Sequence, residues 1–339
     1  MTISETSAKN VTNMVYLAIK HKTPSKAVVI FDSESSLSRL LTEAYRTALP
    51  NGLFLDFNAV PPEEIIAHVR ALVPHDLVIL VQSSNFRLAE FRFRIELFQR
   101  GIATIEHVHL GRMPDSQIEA YVDSLAYDPS YYVSLGHALK EQIDRAEIIT
   151  VHCPGTVLTY EGGMEPTKLN VGDYTGMNNV GGTFPIGEVF SEPKDLSMVN
   201  GEAMLFAFAG TDHLIKVYEP FKIIITAGIV TGHEGPAEFQ AVLDQISTDE
   251  KILVREFGLG LNPSYSKHRV VDDITAFERQ KGLHFSLGEK HGIYKKPGFK
   301  QKKTHYHIDV FVEVERIEFD GEVVFTNGKY SVENSLAIK

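Results

Sequence analysis

The strongest constraint on the fold is an alternation that fills the first 150 residues, where short apolar runs are separated by segments of helical period. Residues 27–31, 53–57 and 77–81 read as buried strands, with 103–110 as a fourth and 148–153 as a fifth. Between them Leu37, Leu40, Leu41 and Ala44 recur at helical spacing, as do Ile65, Ile66, Val69 and Val73, and residues 89–100 follow suit. Pro62 stands where a first-turn proline belongs. Strands alternating with helices imply a doubly wound, mostly parallel sheet. Such sheets often bind nucleotides, but here the first strand runs into Asp32-Ser33-Glu34-Ser35-Ser36. No glycine lets the backbone approach a pyrophosphate there, and two acids oppose it. The first half is therefore expected to be a structural, dimer-forming α/β domain without a nucleotide.

After Cys153 the texture changes. Glycines crowd residues 155–187, in the manner of turns and close backbone approaches. β-type runs follow at 203–208, 214–218 and 221–229, then one helix with Pro236 in its first turn and Phe239, Val242, Leu243 and Ile246 on its buried side. Hairpins are expected at Asp320-Gly321 and Asn327-Gly328. A boundary near residue 152 divides an α/β domain (1–152) from a β-rich α+β domain (153–339), and a chain of 339 residues suits two domains.

Composition narrows the function classes. No apolar run reaches the roughly 18 residues that span a bilayer, and residues 1–10 lack the basic-then-apolar order of a signal peptide. The single Cys153 excludes an internal disulfide framework and a zinc site of several thiolates. A cytoplasmic location and no membrane partner are expected. The net charge of −11 argues against nucleic acid as a partner. A site built from carboxylates would account for part of that acidity.

Four segments carry candidate chemistry. In His305-Tyr306-His307-Ile308-Asp309 the residues at i and i+2 share a strand face, so His305, His307 and Asp309 project together. An imidazole and a carboxylate side by side on a rigid strand are good ligands for zinc, manganese or iron. Upstream, residues 277–288 place Glu278 and His284 in Phe-Glu-Arg-Gln-Lys-Gly-Leu-His-Phe-Ser-Leu-Gly. Further back, Arg255-Glu256-Phe257-Gly258-Leu259-Gly260 sets one acid into an apolar strand end punctuated by glycines. A buried carboxylate there needs a proton or a cation, and Arg255 or Arg269 could supply the charge. Glu278 could equally be a solvated loop residue. The fourth segment, residues 178–193, holds Glu188 in Phe-Pro-Ile-Gly-Glu-Val-Phe-Ser-Glu-Pro.

Together these segments resemble the thermophilic-type metallo-aminopeptidases, the aminopeptidase T and aminopeptidase S group. That family carries, in the same order, N-x-P-x-G-E-V-F-x-x-P, E-L-G-I-G-x-N-P, D-E-K-x-x-G-T-x-H-x-A-L-G and S-x-x-H-x-D. The resemblance covers roughly residues 155 to 335 and implies metal ligands at Glu188, Glu256, Glu278, His284, His307 and Asp309, with Glu256 bridging and Thr304 at the serine position. The departures are specific: Phe277 replaces the aspartate, the threonine before the histidine is missing, and Glu278 to His284 carries one extra residue. The family's catalytic tyrosine lies seven residues past its histidine, where this chain has His291, with Tyr294 three further on.

The resemblance implies a homodimeric hydrolase that removes N-terminal residues from peptides. Six ligands suit two divalent cations, zinc, cobalt or manganese, about 3.5–4 Å apart. Tyr294 or His291 would steady the oxyanion, with His305 behind the ligands. A Lys-rich loop (Lys290, Lys295, Lys296, Lys300, Lys302 and Lys303) would be solvated or a lid for a substrate carboxylate. Two alternatives stay open. His284, His307 and Asp309 make the two-histidine, one-carboxylate set of non-haem Fe(II) oxygenases, and the superfamily includes ring-cleaving enzymes similar to 2,5-dihydroxypyridine 5,6-dioxygenase. A peptide-binding homologue without turnover is the other.

Overall fold

The computed structural model describes residues 1–86, 93–247, 251–288 and 306–333. The chain divides into two compact units, each assembled from separate stretches. The first holds Met1–Tyr132, Gly172–Ile186 and Arg269–Ala276; the second holds Val133–Val171, Gly187–His268 and Phe277–Lys339. Residue 152, where the sequence suggests a boundary, lies within a strand of the second unit. Among the described residues no helix is long and apolar enough to cross a membrane.

In the first unit β1 (Ala27–Phe31), β2 (Leu53–Asp56), β3 (Leu77–Val81) and β4 (Ala103–His107) lie parallel in the order β2-β1-β3-β4. β1 and β3 are buried at every position, because helices cover both faces of such a sheet and each side chain must be apolar. Ser35 caps the helix Ser36–Ala48, which buries Leu37, Leu41 and Ala44 at the expected spacing. The helix Pro62–Arg70 likewise buries Ile65 and Val69. The fifth strand of this sheet is not 148–153 but the short Gly181–Thr183, parallel to β4.

β5 (Ile148–Cys153) instead pairs antiparallel with Thr156–Glu161 and Arg316–Phe319 in a second sheet. Its burial alternates between buried and partly exposed positions, as suits an antiparallel sheet, whereas a doubly covered parallel strand would be buried throughout. That sheet joins thirteen strands among the described residues. Within it β6 (Glu188–Ser191), β7 (Val199–Ala209), β8 (Val254–Gly260), β9 (Gly282–Gly288) and β10 (His307–Val312) run antiparallel in the order β7-β10-β9-β8-β6. The runs at 214–218 and 221–229 are mostly one strand, Ile215–Thr226, followed by Ile229–His233. A register shift opposite Leu205 and Ala207 takes up the stretch that holds Pro220, which has no N–H for the ladder. The helix Ala237–Ser247 buries Phe239, Val242, Leu243 and Ile246. Both expected hairpins form, with positive φ at Asp320, Gly321, Asn327 and Gly328.

Two buried polar groups make testable demands on stability. In the first unit His107 is wholly buried, with Nε2 2.7 Å from the Tyr45 hydroxyl and Nδ1 2.9 Å from the Tyr121 hydroxyl, which donates to the Phe184 carbonyl at 3.1 Å. One tautomer satisfies all three bonds: Tyr45 donates to Nε2 and Nδ1–H donates to Tyr121. Burial lowers the pKa of this imidazole from 6.5 to about 3. Between those values the unfolded chain binds a proton that the folded one refuses, so the stability His107 contributes is present above pH 6.5 and drains away as pH falls toward 3. The expected loss is about 1.4 kcal/mol per pH unit. Urea unfolding at pH 7 and pH 5 should show that slope in the native chain and a shallower one in His107→Gln.

In the second unit Arg255 and Glu192, each 2 % exposed, pair at 3.5 Å, and Arg255 Nε donates to the Gly288 carbonyl at 3.2 Å. Losing one partner strands the other charge in the core, so Glu192→Gln should cost about 3–5 kcal/mol in denaturant unfolding.

Candidate metal centre

Strand register brings the candidate ligands to one face of the sheet. Residues directly opposite in antiparallel strands point to the same side. Gly258 of β8 lies opposite His284 of β9, Ser286 of β9 lies opposite Asp309 of β10, and Gly260 lies opposite Glu188 of β6. His307, two residues before Asp309, shares its face by the two-residue period of a strand. Glu256 sits where the register shifts between Val254 and Phe257 and is placed on this face by its approach to His284. The other face carries Phe257, Leu259, Leu283, Phe285, Leu287, Ile308 and Val310, all buried apolar side chains. Hydrophobic burial behind the sheet thus fixes which side the acids and imidazoles take.

Glu188, Glu256 and His284 are buried, and each offers a ligand atom within 4.8 Å of the other two. His284 Nε2 lies 3.1 Å from Glu188 Oε1 and 3.7 Å from Glu256 Oε1. His307 Nε2 lies 3.1 Å from Asp309 Oδ1. Arg279 Nη2 reaches Glu278 Oε1 at 2.8 Å while its Nη1 contacts Glu188 Oε2. Glu256 N donates to Ser286 Oγ at 3.1 Å, tying the acid's backbone to the neighbouring strand.

Two glycines make the room. A Cβ on Gly258 would stand 2.2 Å from His284 Nε2, so the imidazole lies where any side chain there would be. A Cβ on Gly260 would meet the Gln280 carbonyl at 1.9 Å; the Arg279–Gln280 backbone passes over it, and Asn262 N donates to Arg279 O at 2.9 Å. Phe277, at the family's aspartate position, is fully buried 4.8 Å from the Phe311 ring, which lies 5.8 Å from His284. The glycines in residues 254–260 therefore enclose an imidazole and a stretch of backbone.

Electrostatics joins these groups into one cluster. Burial raises Glu188, but Arg279 and His284 outweigh it and hold this carboxyl below its usual range. Burial works against a charged His284, yet Glu188 and Glu256 lift it to about 10. Burial pushes Glu278 up to about 8, with Arg279 opposing and Glu188 and Asp309 reinforcing. For Asp309 burial is outweighed by His307, with His284 and Arg279 adding to the depression. Opposing shifts among close acids are common at functional sites.

Whether the residues fit a cation can be judged from their unsatisfied atoms. Among the described residues Glu188 Oε1, Glu256 Oε2, His284 Nε2 and Nδ1, and Asp309 Oδ1 are buried without a hydrogen-bond partner. His284 Nε2 and Glu188 Oε1 stand at contact distance without hydrogen-bond alignment. Buried carboxylates left this way are costly unless a positive ion faces them. The donor set fits a divalent cation.

Of the sequence-derived candidates, Glu188, Glu256 and His284 come together as the buried trio. Asp309 acts on it electrostatically, His307 contacts Asp309, and Glu278 joins through Arg279. His291, Tyr294, Thr304, His305 and the lysine loop lie outside the described residues. Glu256 pairs with neither arginine considered for it: Arg255 meets Glu192 and Arg269 meets Asp123. Glu278 is no solvated loop acid but a four-fifths-buried partner of Arg279. Arg279 itself was not singled out by sequence reasoning; its signal is a cation directly after an acid in a stretch flanked by buried apolar residues.

Comparison with solved structures finds this overall fold in several chains, two of which are informative. The fold aligns with 2,5-dihydroxypyridine dioxygenase from Pseudomonas putida at a TM-score of 0.65 and 15 % identity, covering 96 % of each chain. It aligns with AmpT from Thermus thermophilus, a thermophilic aminopeptidase, at 0.59 and 13 % identity, covering 97 % of this chain and 99 % of the other. The chain has their fold. These are the two groups that the sequence motifs resemble, and the α/β plus β-rich class expected from sequence is the class observed. No protein-family model matches the chain, and no curated protein matches it in sequence.

Proposed function

We propose that this protein is a metal-dependent hydrolase that removes N-terminal residues from peptides. The observation that carries the reading is the buried trio Glu188, Glu256 and His284. Two carboxylates and one imidazole invert the two-histidine, one-carboxylate set of Fe(II) oxygenases. An oxygen-rich site suits Lewis-acid chemistry on a carbonyl better than oxygen activation.

Glu188, Glu256 and His284 would hold the cation, with Asp309 and His307 beside them. A divalent ion there supplies polarisation of the scissile carbonyl and a water of lowered pKa. The chain's own groups do the rest. Glu256 Oε2, which has no partner among the described residues, can accept the proton of the attacking water. Surplus carboxylate charge on this face would orient the substrate's free ammonium group. Ser286 Oγ holds the Glu256 backbone, and Gly258 keeps His284 in place. His291 and Tyr294 are the candidates for steadying the oxyanion. A cytoplasmic homodimer goes with this reading, supported by the single cysteine and by the aminopeptidase resemblance.

The test is release of free amino acids from short peptides by the purified full chain with cobalt, manganese or zinc added. Release that depends on metal and stops when the N-terminal amine is acetylated is the expected result. No release under any of the three metals would overturn the reading, and Fe(II)-dependent oxygen uptake with dihydroxypyridines would replace it with ring cleavage.

A further inference from the structure

We propose that the Arg279 guanidinium takes the place of a second cation, so that the site holds one divalent ion per chain rather than a pair. This rests on the metal-site reading above and specifies its stoichiometry. Six candidate ligands would ordinarily suit two cations, and the geometry divides them differently. Arg279 spans two acids, with Nη2 2.8 Å from Glu278 Oε1 and Nη1 on Glu188 Oε2. Joining two carboxylates is what a second metal would otherwise do, and a guanidinium is always charged and forked for carboxylate oxygens.

Arg279 is no surface arm folded in by chance. It is 6 % exposed, and its backbone is fixed by the Asn262 hydrogen bond and by the close approach over Gly260. The other nearby cations are engaged elsewhere, Lys281 with Glu333 at 2.7 Å and Arg255 with Glu192. The donors left over form one group: Glu188 Oε1, Glu256 and His284 Nε2. Three protein ligands and an open position are sufficient for one catalytic ion.

The test is metal stoichiometry on the full-length chain, stripped with chelator and titrated with zinc or manganese by calorimetry, then checked by elemental analysis after dialysis. The native chain should bind one ion and Arg279→Met two. Two ions in the native chain, or one in a folded Arg279→Met variant, would overturn the proposal while leaving the hydrolase reading intact. No ion at all in the native chain would overturn both. If Arg279→Met does not fold, the native stoichiometry and that of Glu278→Gln, expected to stay at one, still decide the matter.

Discussion

Glu256→Gln is expected to weaken divalent-metal binding by more than about a hundredfold and to lower peptide turnover at least as much. Mutation of a residue that only orients a metal ligand typically costs about 10–100-fold, and Glu256 is placed to be a ligand itself. The substitution preserves shape and removes only charge and donor strength. Glu256 is 6 % exposed, its backbone N–H stays bonded to Ser286 Oγ, and its Oε2 has no partner among the described residues to lose. The fold should therefore survive. Calorimetric titration with zinc, alongside circular dichroism and peptide release, checks all three parts. A variant that binds metal like the native chain would remove Glu256 from the site.

Gly258→Ala should be nearly as damaging, although it adds one methyl group far from any charge change. The new Cβ would sit 2.2 Å from His284 Nε2 and 2.3 Å from its Cε1, closer than real Cβ atoms come. The imidazole cannot yield without carrying Nε2 away from Glu188 and Glu256. Overpacking of this kind costs about 1–3 kcal/mol of stability, whereas loss of the His284 nitrogen should remove most of the metal affinity. Thermal unfolding separates the two effects. The native chain should melt higher with saturating zinc, because an ion that binds only the folded state stabilises it. Gly258→Ala should melt lower and gain little from zinc. An equal gain in both would show that the glycine does not serve the ligand.

How much of this was legible in the sequence depends on the period involved. β1 and β3 stand out because a strand covered on both faces must be apolar at every position. The i, i+2 spacing of His307 and Asp309 gives their common face directly, and the glycines of residues 254–260 announce a close approach without saying to what. Long-range pairing was less accessible. β5 looks like one more strand of the parallel sheet, and only its half-buried alternation marks it as antiparallel. Gly181–Thr183, three residues with one side chain beyond glycine, has almost no apolar signal, since its place comes from pairing with β4. Arg279 was hidden for another reason. A charged residue beside an acid usually faces water, and only the fold shows this one buried between Glu278 and Glu188.

The most direct measurement is crystallographic: the chain crystallised with manganese or zinc, with anomalous scattering recorded at that metal's edge. A peak about 2.0–2.3 Å from donor atoms of Glu188, Glu256 and His284 is expected. At saturating metal, a peak elsewhere, or none on this face of the sheet, would contradict the claim that these buried acids and imidazoles are gathered to hold a cation.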